Sequence, residues 1–470
     1  MPRMKSAQRL AAADSMFLYG ESREIMLHVA SLLPFTPPAD APADHLRTLV
    51  EQIRSTRELQ PPWNLRLRHP GFLKHPMQAW EIDPDVDVDY HVRRSALPSP
   101  GDERELGILV SRLHSHPLDF HRPPWEVHII EGLEGGRFAM YVKVHHALVD
   151  GFTSMRLLAR SLSPDARDRQ TPMFLTVPPA RRERAETTAG ATALAFPGLL
   201  RMVREQLGST RDIGKAVLDV VRAARKPDGD DDLVSPLQAP KCILNGPIGR
   251  NRRFATQQFS LTRIRAAAKK AGATMNDIVL ALSGAALRRF LLELGELPDE
   301  PLVAMLPVNI RPKGDPGGGG NAVGAILASL GTHIADPGQR LRAVVASARR
   351  AKQQLQGMSR SAIFQFSALL LAPFGLQALK PTAGKLRPAF NVVISNVPGP
   401  ETPLYFRGSR LEAIYPMSIP VHGMALNITC TSYADTFNFG FIGCRETLPH
   451  MQHLAVYCGE AMNELEAALG

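Results

Sequence analysis

The sequence is poor in the features that mark a metal or disulfide scaffold. It has four cysteines in 470 residues, Cys242, Cys430, Cys444 and Cys458, and no two stand in C-x-x-C spacing. Neither a zinc site nor a disulfide framework is expected, and a reducing compartment suits the chain better. Long apolar runs are scarce too. The N-terminal "MPRMKSAQRLAAADSMFL" is basic, but Asp14 breaks its apolar stretch and it does not read as a signal peptide. The longest uncharged run, "SAIFQFSALLLAPFGLQAL" between Arg360 and Lys380, has the length of a bilayer span. Ser, Gln, Pro and Gly interrupt it, so it predicts a kinked buried or interfacial helix and no transmembrane anchor. "GDPGGGGN" (314–321) lacks the G-K-[ST] ending of a phosphate loop and reads as a flexible connection. No serine or cysteine sits in a recognisable nucleophile elbow.

What is present is an ordinary globular composition, 44% hydrophobic and 21% charged, with length for two to three domains. Lys and Arg outnumber Asp and Glu by 55 to 45, a formal net charge of +10. That excess suits an anionic partner: nucleic acid, a phosphate-bearing cofactor or an anionic membrane face.

Periodicity predicts strands at "IMLHVASLLPF", "WEVHIIEGL" and "RFAMYVKVHHAL", and a helix in "DERELGILVSRLHSHPLDF", where Leu106, Leu109, Val110 and Leu113 recur at helical spacing. This alternation makes residues 1–165 an α/β lobe. Residues 166–245 turn rich in Pro, Arg and Asp and read as an inter-lobe linker carrying an amphipathic helix at "FPGLLRMVREQLG" (196–208). Residues 246–470 form a second α/β lobe. Its signals are a strand at "RFATQQFSL", a helix from Met275 with Thr274 and Asp277 in capping-box spacing, and strands in "PLVAMLPVNI" and "AFNVVISNVPGP". A hairpin turning near Ala434-Asp435 and a closing amphipathic helix follow.

The stretch with chemical content is "YVKVHHALVDGFTSM" (Tyr141 to Met155), an apolar strand ending in His145 and His146, with Asp150 and Gly151 after it. Successive side chains on a strand point to opposite faces, so the two histidines do not converge on one metal, and no metal site is expected. One histidine facing a cavity as a general base fits better, since imidazole is largely neutral at pH 7. Gly151 permits a sharp turn after Asp150, which is placed to pair with an arginine.

H-H-x-x-x-D-G after a strand resembles the active-site signature of chloramphenicol acetyltransferase, plant alcohol acyltransferases and peptide-synthetase condensation domains. More specifically, the chain resembles the bacterial wax ester synthase/diacylglycerol acyltransferase family. The likeness runs through "DVDVDYHVR", "PLDFHRPPWEVHIIEGL", "HHALVDG", "MNDIVLA", "PVNIRP" and "NVVISNVPGP". The family's usual Pro-Leu-Trp stands here as Pro123-Pro124-Trp125. The resemblance implies an α/β fold of two chloramphenicol acetyltransferase-like lobes, mixed sheets with packed helices, and an active-site tunnel between them. It implies His146 as the base, a structural Asp150 with Arg311 as candidate partner, and Asn276 at a helix start near the reacting centre or as a simple cap. It also implies fatty acyl-CoA as co-substrate with no bound cofactor, and a long-chain alcohol or diacylglycerol as acceptor. Nucleic acid is not an expected partner. The place it implies is the cytoplasm, peripherally on the inner face of the membrane or on lipid inclusions. Ala362, Gly423 and Ala425, small residues in apolar segments, are expected to line an acceptor branch of the tunnel. A carrier-protein-dependent condensation enzyme and a non-catalytic lipid-binding protein are the alternatives.

Overall fold

The computed structural model describes residues 8–10, 12–72, 75, 78–149, 156–178, 233–234, 237–309, 323–356, 358 and 360–470. The proposed linker helix at 196–208, the glycine-rich 314–321, Asp150, Gly151 and Arg311 lie outside them.

The first half contains β1 (Gln8–Arg9), α1 (Ala12–Tyr19), β2 (His28–Thr36), α2 (His45–Arg54), β3 (Leu65–Leu67), β4 (Ala79–Ile82), α3 (Val88–His91), β5 (Val92–Ala96), α4 (Glu103–His114), β6 (Trp125–Leu133) and β7 (Arg137–His145). The second contains β8 (Arg252–Ser260), α5 (Leu261–Lys270), α6 (Met275–Glu293), β9 (Val303–Asn309), β10 (Val323–Ser329), α7 (Pro337–Leu355) and α8 (Arg360–Gln377). After these come β11 (Val392–Val397), β12 (Tyr405–Phe406), β13 (Ser409–Leu411), β14 (Tyr415–Met417), β15 (Leu426–Tyr433), β16 (Thr436–Cys444) and α9 (His453–Leu469).

Two mixed sheets carry the molecule. The first runs β12-β13-β2-β7-β6-β5, with β14 also paired to β2; the second runs β10-β9-β11-β15-β16-β8. A small sheet, β1-β4-β3, flanks the first. The sheets do not divide at one point along the chain, because residues 405–417 return from the second half to complete the first sheet on β2.

Alternation explains how β7 serves two layers. Phe138, Met140, Val142 and Val144 enter one core with Trp63, Trp125 and Phe174. Ala139 and Tyr141 enter another, shared by both lobes, with Leu106 and Val110 of α4, Phe254 of β8, Tyr415 and Ile442. α4 is fastened to the second sheet by hydroxyls. Ser111 Oγ accepts from Phe254 N at 2.9 Å and Ser115 Oγ from Arg252 N at 2.8 Å, which satisfies donors on the outer edge of β8. α6 starts at the expected capping box: Thr274 Oγ1 accepts from Asp277 N, and the Asp277 carboxylate accepts from Thr274 N. "SAIFQFSALLLAPFGLQAL" forms α8 with Pro373 inside it, and among the described residues no helix is long and apolar enough to cross a membrane.

Candidate active site

β7 ends at His145, opposite His28 at the start of β2. One residue on, His146 N donates to Leu27 O at 2.9 Å, which holds the chain as it leaves the strand. The two histidines part there, as the strand alternation predicts. His145 is buried and packs edge-on against Phe120. Its Nδ1 accepts from Ala147 N at 3.1 Å, so the ring proton sits on Nε2 and is donated to Glu21 Oε2 at 3.3 Å. The same carboxylate oxygen accepts from Leu27 N at 2.7 Å. Glu21 therefore ties the end of β7 to the approach to β2. The ring of His146 turns the other way and stacks on Phe17 of α1, with centroids 4.0 Å apart and planes 16° from parallel.

His146 opens on a cavity of about 210 Å³ between the two sheets. One wall comes from Val29, Ala30 and Ser31 of β2, with Pro416 and Met417 of β14. The opposite wall is a grid on two parallel strands: Val393, Ser395 and Val397 of β11 beside Asn427, Thr429 and Thr431 of β15, paired in register. The chamber is thus apolar with a few hydroxyls and one amide.

Beneath the hairpin lies a buried polar set. Lys143 Nζ donates to Leu113 O (3.1 Å) and His116 O (3.0 Å) and pairs with Glu126 at 3.0 Å. Burial opposes ionisation of Glu126, yet His128, Lys143 and Arg93 pull its pKa down to about 2. Burial also lowers the pKa of Lys143, against the pull of Glu126. His28 and His114 are held neutral, chiefly by burial and then by nearby positive charge. His114 and Tyr141 bond at 2.8 Å, and His28 Nε2 donates to His114 O at 3.0 Å. This set anchors the end of α4 under the strand that carries the histidines.

The other expected site residues scatter. Asn276 sits in the first turn of α6, where Thr274 and Asp277 do the capping, and it is not in the cavity wall. Ala362 lies on α8. Gly423 adopts φ +79° and its missing Cβ would meet Gln377 O at 2.8 Å, while Ala425 is fully buried in the core of the second lobe. Neither lines the chamber. No group of three or more metal-ligating side chains occurs among the described residues. Cys430 and Cys458 are buried, and burial raises both thiols; it pushes Cys242 up to about 12. None of these three is a ready nucleophile.

Sequence reasoning missed Glu21, Phe17 and the polar face of β15. The last had a signal. In "LNITCTS", Asn427, Thr429 and Thr431 alternate with Leu426, Ile428 and Cys430, a polar row on a strand otherwise turned to the core.

Residues 10–279 match the model of the wax ester synthase/diacylglycerol acyltransferase catalytic domain, and residues 319–466 match the family's C-terminal domain. The chain belongs to this family. A Mycobacterium tuberculosis protein named as a diacylglycerol O-acyltransferase is 53% identical, covering 99% of this chain and 98% of its own length. The O-acyltransferase WSD of Acinetobacter baylyi is 40% identical over 97% of this chain and 96% of its own. The wax ester synthase/diacylglycerol acyltransferase from Marinobacter aquaeolei VT8 superposes with a TM-score of 0.80 at 39% identity, covering 98% of this chain and 100% of that one. The first condensation domain of the calcium-dependent antibiotic synthetase shares the fold alone, at TM-score 0.56 and 18% identity over 99% of this chain and 97% of that one.

Proposed function

We propose that this acyltransferase moves a fatty acyl group from acyl-CoA to the hydroxyl of a long-chain alcohol, a diacylglycerol or both, with His146 as general base. The observation that carries this reading is the placing of His146: just past a strand end, stacked on Phe17, and opening on an apolar chamber between the lobes. The alcohol oxygen attacks the thioester carbonyl carbon as its proton passes to His146. The tetrahedral carbon then collapses, the C–S bond breaks, and coenzyme A leaves as thiol with that proton. His145, locked by Glu21 and Ala147 N, sets where His146 leaves the strand.

Asp150 holds the following turn in this proposal by pairing with an arginine, with Arg311 the candidate, and Gly151 lets the turn close. Arg and Lys at the chamber mouth receive the CoA phosphates. The chains leave along the apolar cluster in which Val393, a chamber residue, meets Met424 and Leu370 and Leu371 of α8. Ala362, on the same helix, is the acceptor-branch position to enlarge. Ala362→Ile is expected to shift turnover from hexadecanol toward decanol. Ala425 enlarged would report on core packing instead. We place the protein in the cytoplasm, held peripherally by its basic charge at the inner membrane face or on lipid inclusions.

The deciding assay is radiolabelled acyl-CoA with hexadecanol and, separately, dioleoylglycerol. Ester formed by the wild type and lost in His146→Ala is the expected result. Transfer only from a carrier-protein thioester, or no transfer at all, sinks the reading in favour of a condensation-type enzyme or a lipid-binding protein.

A further inference from the structure

β15 buries three polar side chains in one row, Asn427, Thr429 and Thr431, each at most 5% exposed. Buried polar groups that make no bond cost free energy, so each needs an account. Thr431 Oγ1 donates to Val397 O at 2.6 Å. Thr429 Oγ1 donates to Asn427 Oδ1 at 2.8 Å. That bond consumes the acceptor end of the amide and leaves Nδ2, with two N–H groups, as the free end. Among the described residues Nδ2 donates to nothing, and Asn427 lines the chamber that His146 lines.

We propose that Asn427, oriented by Thr429, supplies the hydrogen bond that receives the developing negative charge on the thioester carbonyl oxygen. The inference rests on the acyl-transfer reading above. When the alcohol oxygen bonds to the carbonyl carbon, the C=O π pair moves onto oxygen. A donor already aimed at that oxygen strengthens its bond as the charge grows and needs no reorganisation. Collapse returns the pair to C=O and expels the sulfur. Asn427 gives up no proton, and His146 carries the only one transferred. Ser395 lies beside Thr429 in register on the same wall. Its hydroxyl is a competing donor, but a rotor, whereas the amide is planar and pinned.

The test is steady-state kinetics on the full chain with palmitoyl-CoA and hexadecanol, alongside thermal melting. Asn427→Ala is expected to lower kcat about 10²–10³-fold. Both KM values should stay within about threefold. Thr429→Val, nearly isosteric and the safer fold, should lower kcat by about tenfold, the fold-change that 1.4 kcal/mol represents. Thr429→Ser should restore most of it, which a packing role would not do. Ser395→Ala should cost less than Asn427→Ala. Wild-type kcat in both Asn427→Ala and Thr429→Val overturns the proposal. So does a loss confined to the acceptor KM, or a loss in Ser395→Ala with Asn427→Ala unaffected. A wild type without any transfer would instead overturn the acyltransferase reading on which it rests.

Discussion

In each lobe a hairpin stands between a parallel strand and an antiparallel one: β6–β7 between β5 and β2, and β15–β16 between β11 and β8. The ends match in detail. His145 closes β7 opposite His28, and His146 N donates to Leu27 O; Cys444 closes β16 opposite Arg252, and Arg445 N donates to Asn251 O. Val149 N returns to His145 O, as Leu448 N returns to Cys444 O, each four residues on. Even the polar pairs correspond. Glu126 and His128 on β6 stand where Asn427 and Thr429 stand on β15. The interiors then diverge. The first lobe buries titratable groups, including His28, His91, His114, His128, Glu126 and Lys143, and uses them to brace the strand that bears His146. Around its hairpin the second is filled by Phe437, Phe439 and Phe441 and keeps uncharged polar groups for the chamber, its buried Asp277, Arg340 and His422 lying off the hairpin. One hairpin plan thus yields a proton-handling end in one lobe and a rigid wall in the other, and the difference lies in a few side chains at equivalent positions.

The sharpest way to probe that asymmetry is to truncate equivalent residues. His146→Ala should lower turnover by about 10²–10⁴-fold with the fold retained. Arg445→Ala, the exposed counterpart, should leave both activity and melting unchanged; a marked loss of activity there would break the comparison. Next in size, Phe439→Ala should destabilise the second lobe by about 3–5 kcal/mol, read as a fall in the denaturant midpoint, because it empties a stacked, fully buried site.

Acid should expose the first lobe. His91 Nδ1–H donates to Trp125 O, but burial outweighs that bond and sets its pKa at about 4. Unfolded, it titrates near 6.5, so stability is full above that pH and falls as pH drops toward 4. The loss from His91 alone is on the order of 3 kcal/mol. His28 and His114 act in the same direction. Melting temperature between pH 7 and 4 should decline steeply in the wild type and less so in His91→Phe. The smallest expected loss of activity is at Glu21. Glu21→Gln should slow turnover by about tenfold with little change in melting, since it loosens His145, which sets where His146 leaves the strand, while the surrounding core stays packed. Unchanged kcat would show that the placing of His146 does not depend on the carboxylate behind His145.

The hairpin ends and capping box were legible in the sequence because they are local: alternation, turn residues and an i, i+3 pair specify them. The signature histidines were legible for the same reason, and their divergence followed from strand geometry alone. Glu21 was not, since it meets His145 only after β2 pairs with β7, across 124 residues of chain. The polar row of β15 was written plainly in "LNITCTS" but gains meaning only once β15 faces His146. Gly423 and Ala425 drew attention as small residues, and small residues in an apolar segment read the same whether they line a chamber or fill a core.

The return of residues 405–417 to the first sheet bears on how the chain can be made and recombined. Arg410 and Leu411 pair with Thr36 and Phe35, and Tyr415, Pro416 and Met417 with Leu32, Ser31 and Ala30. During synthesis, β2 emerges early and keeps an open hydrogen-bonding edge until nearly the whole chain has been translated. Such an edge is an aggregation template that chaperones must shield. A fragment ending soon after β7 keeps that edge permanently. Chimeras that exchange first lobes between relatives must therefore carry 405–417 with them, because the natural unit of exchange is discontinuous in the gene.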